Sequence, residues 1–102
     1  MRIFVDIDDT ICFYDEIFQG KMDYSKAKPY TTRITKINKL YDEGHKVVYW
    51  TARGTKTGIN WYNLTKNQLD SWGCKYTELR MGKPNYDLFI DDKNINSEYY
   101  FN

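Results

Sequence analysis

Asp6 and Asp8 follow the apolar run Ile3-Phe4-Val5 at a spacing of i and i+2, and Thr10 closes the string Asp6-Ile7-Asp8-Asp9-Thr10. On an extended backbone, residues two apart face the same way. Both carboxylates are therefore expected to address one point just past the carboxyl end of a strand. Crowding acids is costly: two unit charges about 4 Å apart repel by roughly 4 kcal/mol at an effective dielectric of about 20. A cation is the usual remedy, and acids gathered with a cation at a strand end imply metal-assisted phosphate chemistry. Two more apolar runs end in polar groups, and a lysine lies in the loop before the second of them. Thr51 ends Val47-Val48-Tyr49-Trp50, Lys83 sits in Gly82-Lys83-Pro84, and Asp91-Asp92 end Leu88-Phe89-Ile90.

The elements that would position these residues alternate strand and helix, which predicts a parallel sheet built from βαβ units. Strands are expected at residues 2–5, 46–50, 75–79 and 87–90. The first is nearly all apolar, as a strand covered on both faces should be. Residues 11–29 are polar and aromatic, with Gly20 and Pro29 as breakers, and read as an irregular excursion. Thr31 or Thr32 is expected to cap a helix with Ile34, Ile37, Leu40 and Tyr41 on one face, ended by Gly44. A second helical face, Trp61, Leu64, Gln68, Leu69 and Trp72, is closed by Gly73, and its apolar members are expected in the core. Right-handed crossovers would bring the strand ends to one edge, where open parallel sheets bind ligands.

At 102 residues the chain is expected to be one domain, near the lower end of sizes that sustain a core unaided. The 41% hydrophobic content suits a globule, and no apolar run approaches the roughly 18–20 residues of a spanning helix. Neither a membrane location nor a signal peptide is expected, and the reading is cytoplasmic. Cys12 and Cys74 lack metal-ligand spacing and are expected as free thiols. A net charge of +1 argues against tight nonspecific nucleic-acid binding. Ten tyrosines put some amphipathic rings at the surface, where they suit a partner protein or a sugar. His45, before the second strand, reads as structural or exposed.

In order and in type, the motifs resemble those of the haloacid dehalogenase (HAD) superfamily of phosphatases and phosphotransferases. That pattern is an apolar strand ending Asp-x-Asp-x-Thr, a second ending in Thr, an upstream Lys, and a last strand ending in paired acids. All four motifs are present in order, and the match covers essentially the whole chain. The resemblance implies a three-layer, Rossmann-like (HAD-like) α/β domain over residues 1–102, with a small parallel sheet flanked by helices. It further implies that Asp6 attacks phosphorus to give an aspartyl-phosphate, a role that suits a carboxylate already ionised at neutral pH. Asp8 would protonate the leaving oxygen and later take a proton from water. Magnesium (Mg2+) would be held by Asp6, the backbone carbonyl of Asp8 and Asp91, with Asp92 acting through water or from the outer shell. Thr51 and Lys83 would hold the phosphoryl oxygens. Arg53 is placed to contact the phosphate or a second substrate group.

Blander readings stand beside these. Asp8 and Asp9 could be solvated turn acids, Thr51 a strand-end residue, Lys83 and Arg53 surface residues, and Asp92 a helix cap. The family commonly inserts a cap domain in one of two gaps, and neither gap here has room for one. An open site is expected, with residues 12–20 as a flap beside the nucleophile. The chain ends soon after the fourth motif, and the tail with Tyr99, Tyr100 and Phe101 is expected to pack back and cover an exposed edge. The strings Trp50-Thr51-Ala52-Arg53-Gly54 and Gly82-Lys83-Pro84 with Asp91-Asp92-Lys93 are similar to small phosphatases of capsular polysaccharide biosynthesis. The expected activity is a magnesium-dependent phosphomonoesterase on a sugar phosphate or related metabolite, as a monomer or homo-oligomer. The alternatives are a nucleotide or polynucleotide phosphatase, for which Arg53 and Lys56 speak, and a catalytically idle binding domain on the same scaffold.

Overall fold

The computed structural model describes residues 1–15 and 23–102. Its central feature is a three-stranded parallel sheet in the order β1 (Arg2–Val5), β4 (Lys46–Trp50), β5 (Glu78–Arg80). A two-stranded antiparallel piece, β2 (Cys12–Phe13) with β3 (Lys28–Pro29), lies in the excursion after β1. The helices are α1 (Thr31–Asp42), α2 (Tyr62–Ser71) and α3 (Ser97–Phe101). This is a small α/β fold, consistent with a Rossmann-like arrangement, and no cap domain is present among the described residues.

β4 is the middle strand, and Val47, Val48 and Tyr49 are all buried, as the continuous apolar run of a doubly covered strand requires. β1 departs from the expectation of burial on both faces. It lies at the sheet edge, and Phe4 stays 40% exposed with its ring edge-on to Trp50 and the guanidinium groups of Arg2 and Arg80 at 5.5 and 5.2 Å from its centre. Ile34 and Ile37 of α1 and Leu69 of α2 complete the core with Val5, Ile7 and Ile11. Of the second helical face, Leu69 is buried and Trp72 packs on the core, whereas Trp61 and Leu64 are half-buried at its start.

Several boundaries differ from the sequence reading, each for a tertiary reason. Neither Thr31 nor Thr32 caps α1. The cap position is Tyr30, whose N–H donates to the Ile11 carbonyl at 2.8 Å, so a contact with the excursion fixes the helix start. Tyr41 is exposed at the last turn, which Gly44 closes with a φ of 99°. β5 begins at Glu78 rather than 75, because Asn38 of α1 accepts the Lys75 N–H at 2.8 Å before the chain reaches the sheet. His45 is structural: its Nδ1 lies 3.0 Å from the terminal amine. Cys12 and Cys74 are free thiols. The tail packs back through Tyr100 and Phe101, held by Arg33 and Lys36 of α1, while Tyr99 faces out.

The largest correction concerns residues 87–90, which form no strand. Leu88 is 74% and Ile90 87% exposed, and β1 pairs with β4 alone among the described residues. A four-residue apolar run carries no periodicity that separates a strand from any other segment, and a ladder needs a non-local partner to exist.

One core group is left unpaired. The Tyr49 ring is fully buried, and its hydroxyl has no hydrogen-bond partner among the described residues, although Cys74 lies close by. Burial pushes the phenol up from its ordinary value, so the group stays neutral. A buried, unsatisfied hydroxyl costs about 1–3 kcal/mol. Tyr49→Phe is therefore expected to stabilise the protein by about 1 kcal/mol, read as a rise in the thermal melting point. A fall would mean that the hydroxyl has a partner.

Candidate functional site

β1 delivers Asp6 at its carboxyl end, and a tight turn follows. The N–H groups of Thr10 and Ile11 both donate to the Ile7 carbonyl, at 3.1 and 2.9 Å, and the Asp9 N–H donates to the Cys12 carbonyl at 3.0 Å. Asp9 takes a φ of 60°, a left-handed conformation that Asp enters more readily than most side chains. The turn gives the two carboxylates of the motif different partners.

Asp6 faces Lys83, with Oδ1 3.7 Å from Nζ. Lys83 is held by backbone bonds to the neighbouring strand end: its N–H donates to the Thr51 carbonyl at 3.1 Å, and its own carbonyl accepts from Thr55 Oγ1 at 2.8 Å. Thr51 continues the ladder by donating its N–H to Arg80 O at 3.0 Å. Its Oγ1 accepts the Arg53 N–H at 3.1 Å, so the buried threonine also shapes the turn after β4. Burial lifts the Asp6 carboxyl above its ordinary value of 3.8; Lys83 and the Ile7 N–H oppose that rise and the Asp8 charge adds to it.

Asp8 is clamped by Arg53, whose side chain is fully buried. Nε donates to Oδ2 at 3.0 Å and Nη2 to Oδ1 at 2.8 Å, the two-pronged geometry that a guanidinium makes with a carboxylate. Nη1 donates to Gln68 Oε1 at 2.6 Å and to Thr65 Oγ1 at 3.1 Å, and the guanidinium carbon lies 4.8 Å from the centre of the Tyr24 ring. Tyr14 donates its hydroxyl to Asp8 Oδ1 at 2.5 Å, and the Cys12 thiol donates to the same oxygen at 3.4 Å. Burial first, then the bond to Asp8, pushes the Tyr14 phenol up, so it remains a donor at any ordinary pH.

The crowding that the sequence implied is thus offset by two cations of the chain itself, Lys83 for Asp6 and Arg53 for Asp8. Arg53 is neither a surface residue nor exposed to a phosphate. Asp91 and Asp92 are exposed and make no ion pair among the described residues, and the Asp91 carbonyl accepts from Asn94 at 2.8 Å. No group of three or more acidic, histidine or cysteine side chains that could hold a metal exists among the described residues. Of the donors expected for magnesium, the Asp6 carboxylate is half-exposed and paired with Lys83, the Asp8 side chain is taken by Arg53 and Tyr14 while its backbone carbonyl was the donor expected, and Asp91 is exposed. Residues 87–90, which were expected to carry Asp91 to the sheet as a strand, pair with no other strand.

Of the expected flap, Cys12 is fully buried and Phe13 belongs to β2, while residues 16–20 lie outside the described residues. Tyr14, Tyr24, Thr65 and Gln68 were not foreseen as site residues. Gln68 carried a signal, because it is a polar side chain on an otherwise apolar helical face.

Beside the clamp, a cavity of about 150 Å³ opens between the loop after β4 and the loop after β5, with Ile59, Trp61 and Met81 among its walls. Its shape depends on Gly54, where the loop doubles back at a φ of 81° and a Cβ would meet the Ile59 carbonyl oxygen at 2.1 Å.

No protein-family model and no curated protein matches the chain. Among solved structures, the chain is similar to the crystal structure of an MCSG target from Vibrio cholerae, with a TM-score of 0.81 at 22% identity. The likeness covers 98% of this chain and 86% of that one. The two proteins share an α/β fold with a parallel sheet, and no helix among the described residues is long and apolar enough to cross a membrane.

Proposed function

We propose that this chain is a HAD-like phosphomonoesterase that works through an aspartyl-phosphate on Asp6. The observation that carries this reading is the pairing of Asp6 with Lys83 beside Thr51, at the carboxyl ends of adjacent parallel strands. The half-exposed carboxylate supplies a nucleophile, and the ammonium supplies a positive charge where phosphoryl oxygens would gather. In the first step an Asp6 oxygen bonds to phosphorus as the ester P–O bond breaks, and the leaving oxygen takes a proton from Asp8. In the second, water attacks phosphorus and gives a proton back to Asp8, releasing inorganic phosphate and freeing Asp6. Thr51 and Lys83 hold the transferring group in both steps.

Magnesium belongs to this reading through the family resemblance, with Asp6, the backbone carbonyl of Asp8 and Asp91 as the donors that would hold it. A small sugar phosphate in a cytoplasmic polysaccharide pathway is the substrate class the motif strings favour. The nucleotide or polynucleotide alternative loses Arg53, which is buried. The idle-domain alternative gains from the exposure of Asp91 and Asp92. Incubation with p-nitrophenyl phosphate, with magnesium and then with a chelator, separates these readings. Turnover with magnesium and none with chelator is expected. Turnover unaffected by chelation would remove the metal from the reading, and none under either condition, extended to a panel of phosphorylated sugars and nucleotides, would favour the idle domain.

A further inference from the structure

We infer that Arg53 is a positioning residue, which holds Asp8 so that one chosen carboxylate oxygen is left to work on the leaving group; this rests on the phosphomonoesterase reading above. The two Asp8 oxygens are used unequally. Among the described residues Oδ1 takes three donors, from Arg53, Tyr14 and Cys12, and Oδ2 takes only the Arg53 Nε. A carboxyl oxygen has about two lone-pair sites, so Oδ1 is filled and Oδ2 keeps one position, where the proton of the acid form sits. The fork fixes the plane of the carboxyl group, and with it the place in the site where the remaining Oδ2 position points.

Arg53 is itself held on every side. Its backbone N–H is bound by Thr51, its Nη1 by Thr65 and Gln68, and its face by Tyr24. Gln68 in turn donates Nε2 to the Tyr24 carbonyl at 2.7 Å, tying α2 to the excursion that carries Tyr24. Such a closed set of bonds gives an arginine little freedom, and a catalytic group must be held to within about 0.5 Å to be effective. The buried guanidinium is engaged by its own chain, so of the two cations at the site Lys83 is the one left to meet phosphate.

A comparison of leaving groups distinguishes positioning from plain structure. A general acid contributes about 10²–10⁴-fold where the departing oxygen needs a proton, and far less where it leaves readily as an anion. Phenyl phosphate needs that proton and p-nitrophenyl phosphate does not. In Arg53→Lys, which keeps the charge and loses the fork, kcat/KM for phenyl phosphate is expected to fall about 10²-fold, against less than about 5-fold for p-nitrophenyl phosphate. Competitive inhibition by inorganic phosphate should be unchanged. Thr65→Val, which removes one acceptor from Nη1 at nearly constant shape, should show the same selectivity at about 3- to 10-fold, and it decides the matter if Arg53→Lys does not fold. Equal losses with both esters would overturn the positioning role and leave the phosphatase reading intact. Weakened phosphate inhibition would overturn it in favour of direct phosphate contact. Absence of wild-type turnover on both esters would overturn both readings.

Discussion

Asp6→Asn is expected to abolish phosphomonoester turnover, by more than about 10³-fold in kcat, while the melting temperature stays level or rises. The two halves of this expectation have separate causes. An amide oxygen is neutral and a far poorer nucleophile than a carboxylate, so the covalent step is lost. The folded state, however, holds the Asp6 carboxylate under strain, because burial raises its pKa above 3.8 despite the Lys83 ammonium 3.7 Å away. For an acid with a raised pKa, the folded state binds the proton more tightly than the unfolded state. Its contribution to stability is full below 3.8 and is lost as pH rises through the folded value, so at neutral pH the charge destabilises. Asparagine carries no such charge. Unfolding in urea across the acid range should show a decline in wild-type stability that Asp6→Asn lacks. Retention of wild-type activity would exclude Asp6 as nucleophile, and loss of activity with a lower melting point would point to misfolding.

The same expectation shows what the chain could reveal before folding. The site's front half was legible, because an acid pair and a threonine at the ends of apolar runs and a lysine in a Gly-Lys-Pro loop are local features. Parallel pairing then brings Asp6, Thr51 and Lys83 together, with Lys83 bonded to Thr51 through the backbone. The clamp was not legible. Arg53 lies two residues past Thr51 in a loop rich in turn formers, a context in which an arginine is normally exposed. Its burial depends on α2, 12 and 15 residues further on, and on Tyr14 and Tyr24 in the excursion. Nothing in local periodicity encodes contacts of that kind. Residues 87–90 failed in the opposite direction: the sequence pattern asked for a strand, and the fold supplies no ladder for it. Both failures arise where non-local packing decides the outcome against local preference.

Arg53→Met is expected to lower stability by about 3 kcal/mol, toward the lower end of the cost of breaking a buried ion pair because Asp8 keeps 20% of its side chain exposed. In a domain whose total is about 5–15 kcal/mol, that is the largest loss expected from any single surface-inert change at the site. Methionine fills much of the volume over Tyr24 but leaves Asp8, Thr65 and Gln68 without their donor. Asp8→Asn produces the complementary defect, a buried guanidinium without its carboxylate, and should cost a similar amount. A double-mutant cycle separates these penalties from the pair's own worth. If Arg53 and Asp8 stabilise each other, the double variant should lose clearly less than the two single losses added, with a coupling of about 2 kcal/mol. Urea unfolding measures all four proteins on one scale. Additivity to within about 0.5 kcal/mol would mean that the fork contributes nothing beyond filling space, and that the Gln68, Thr65 and Tyr24 cradle alone keeps Arg53 buried. Strong coupling would instead fix the reason for a charged core at this point: the ion pair keeps Asp8 oriented and partly out of water, next to a second acid that has a cation of its own.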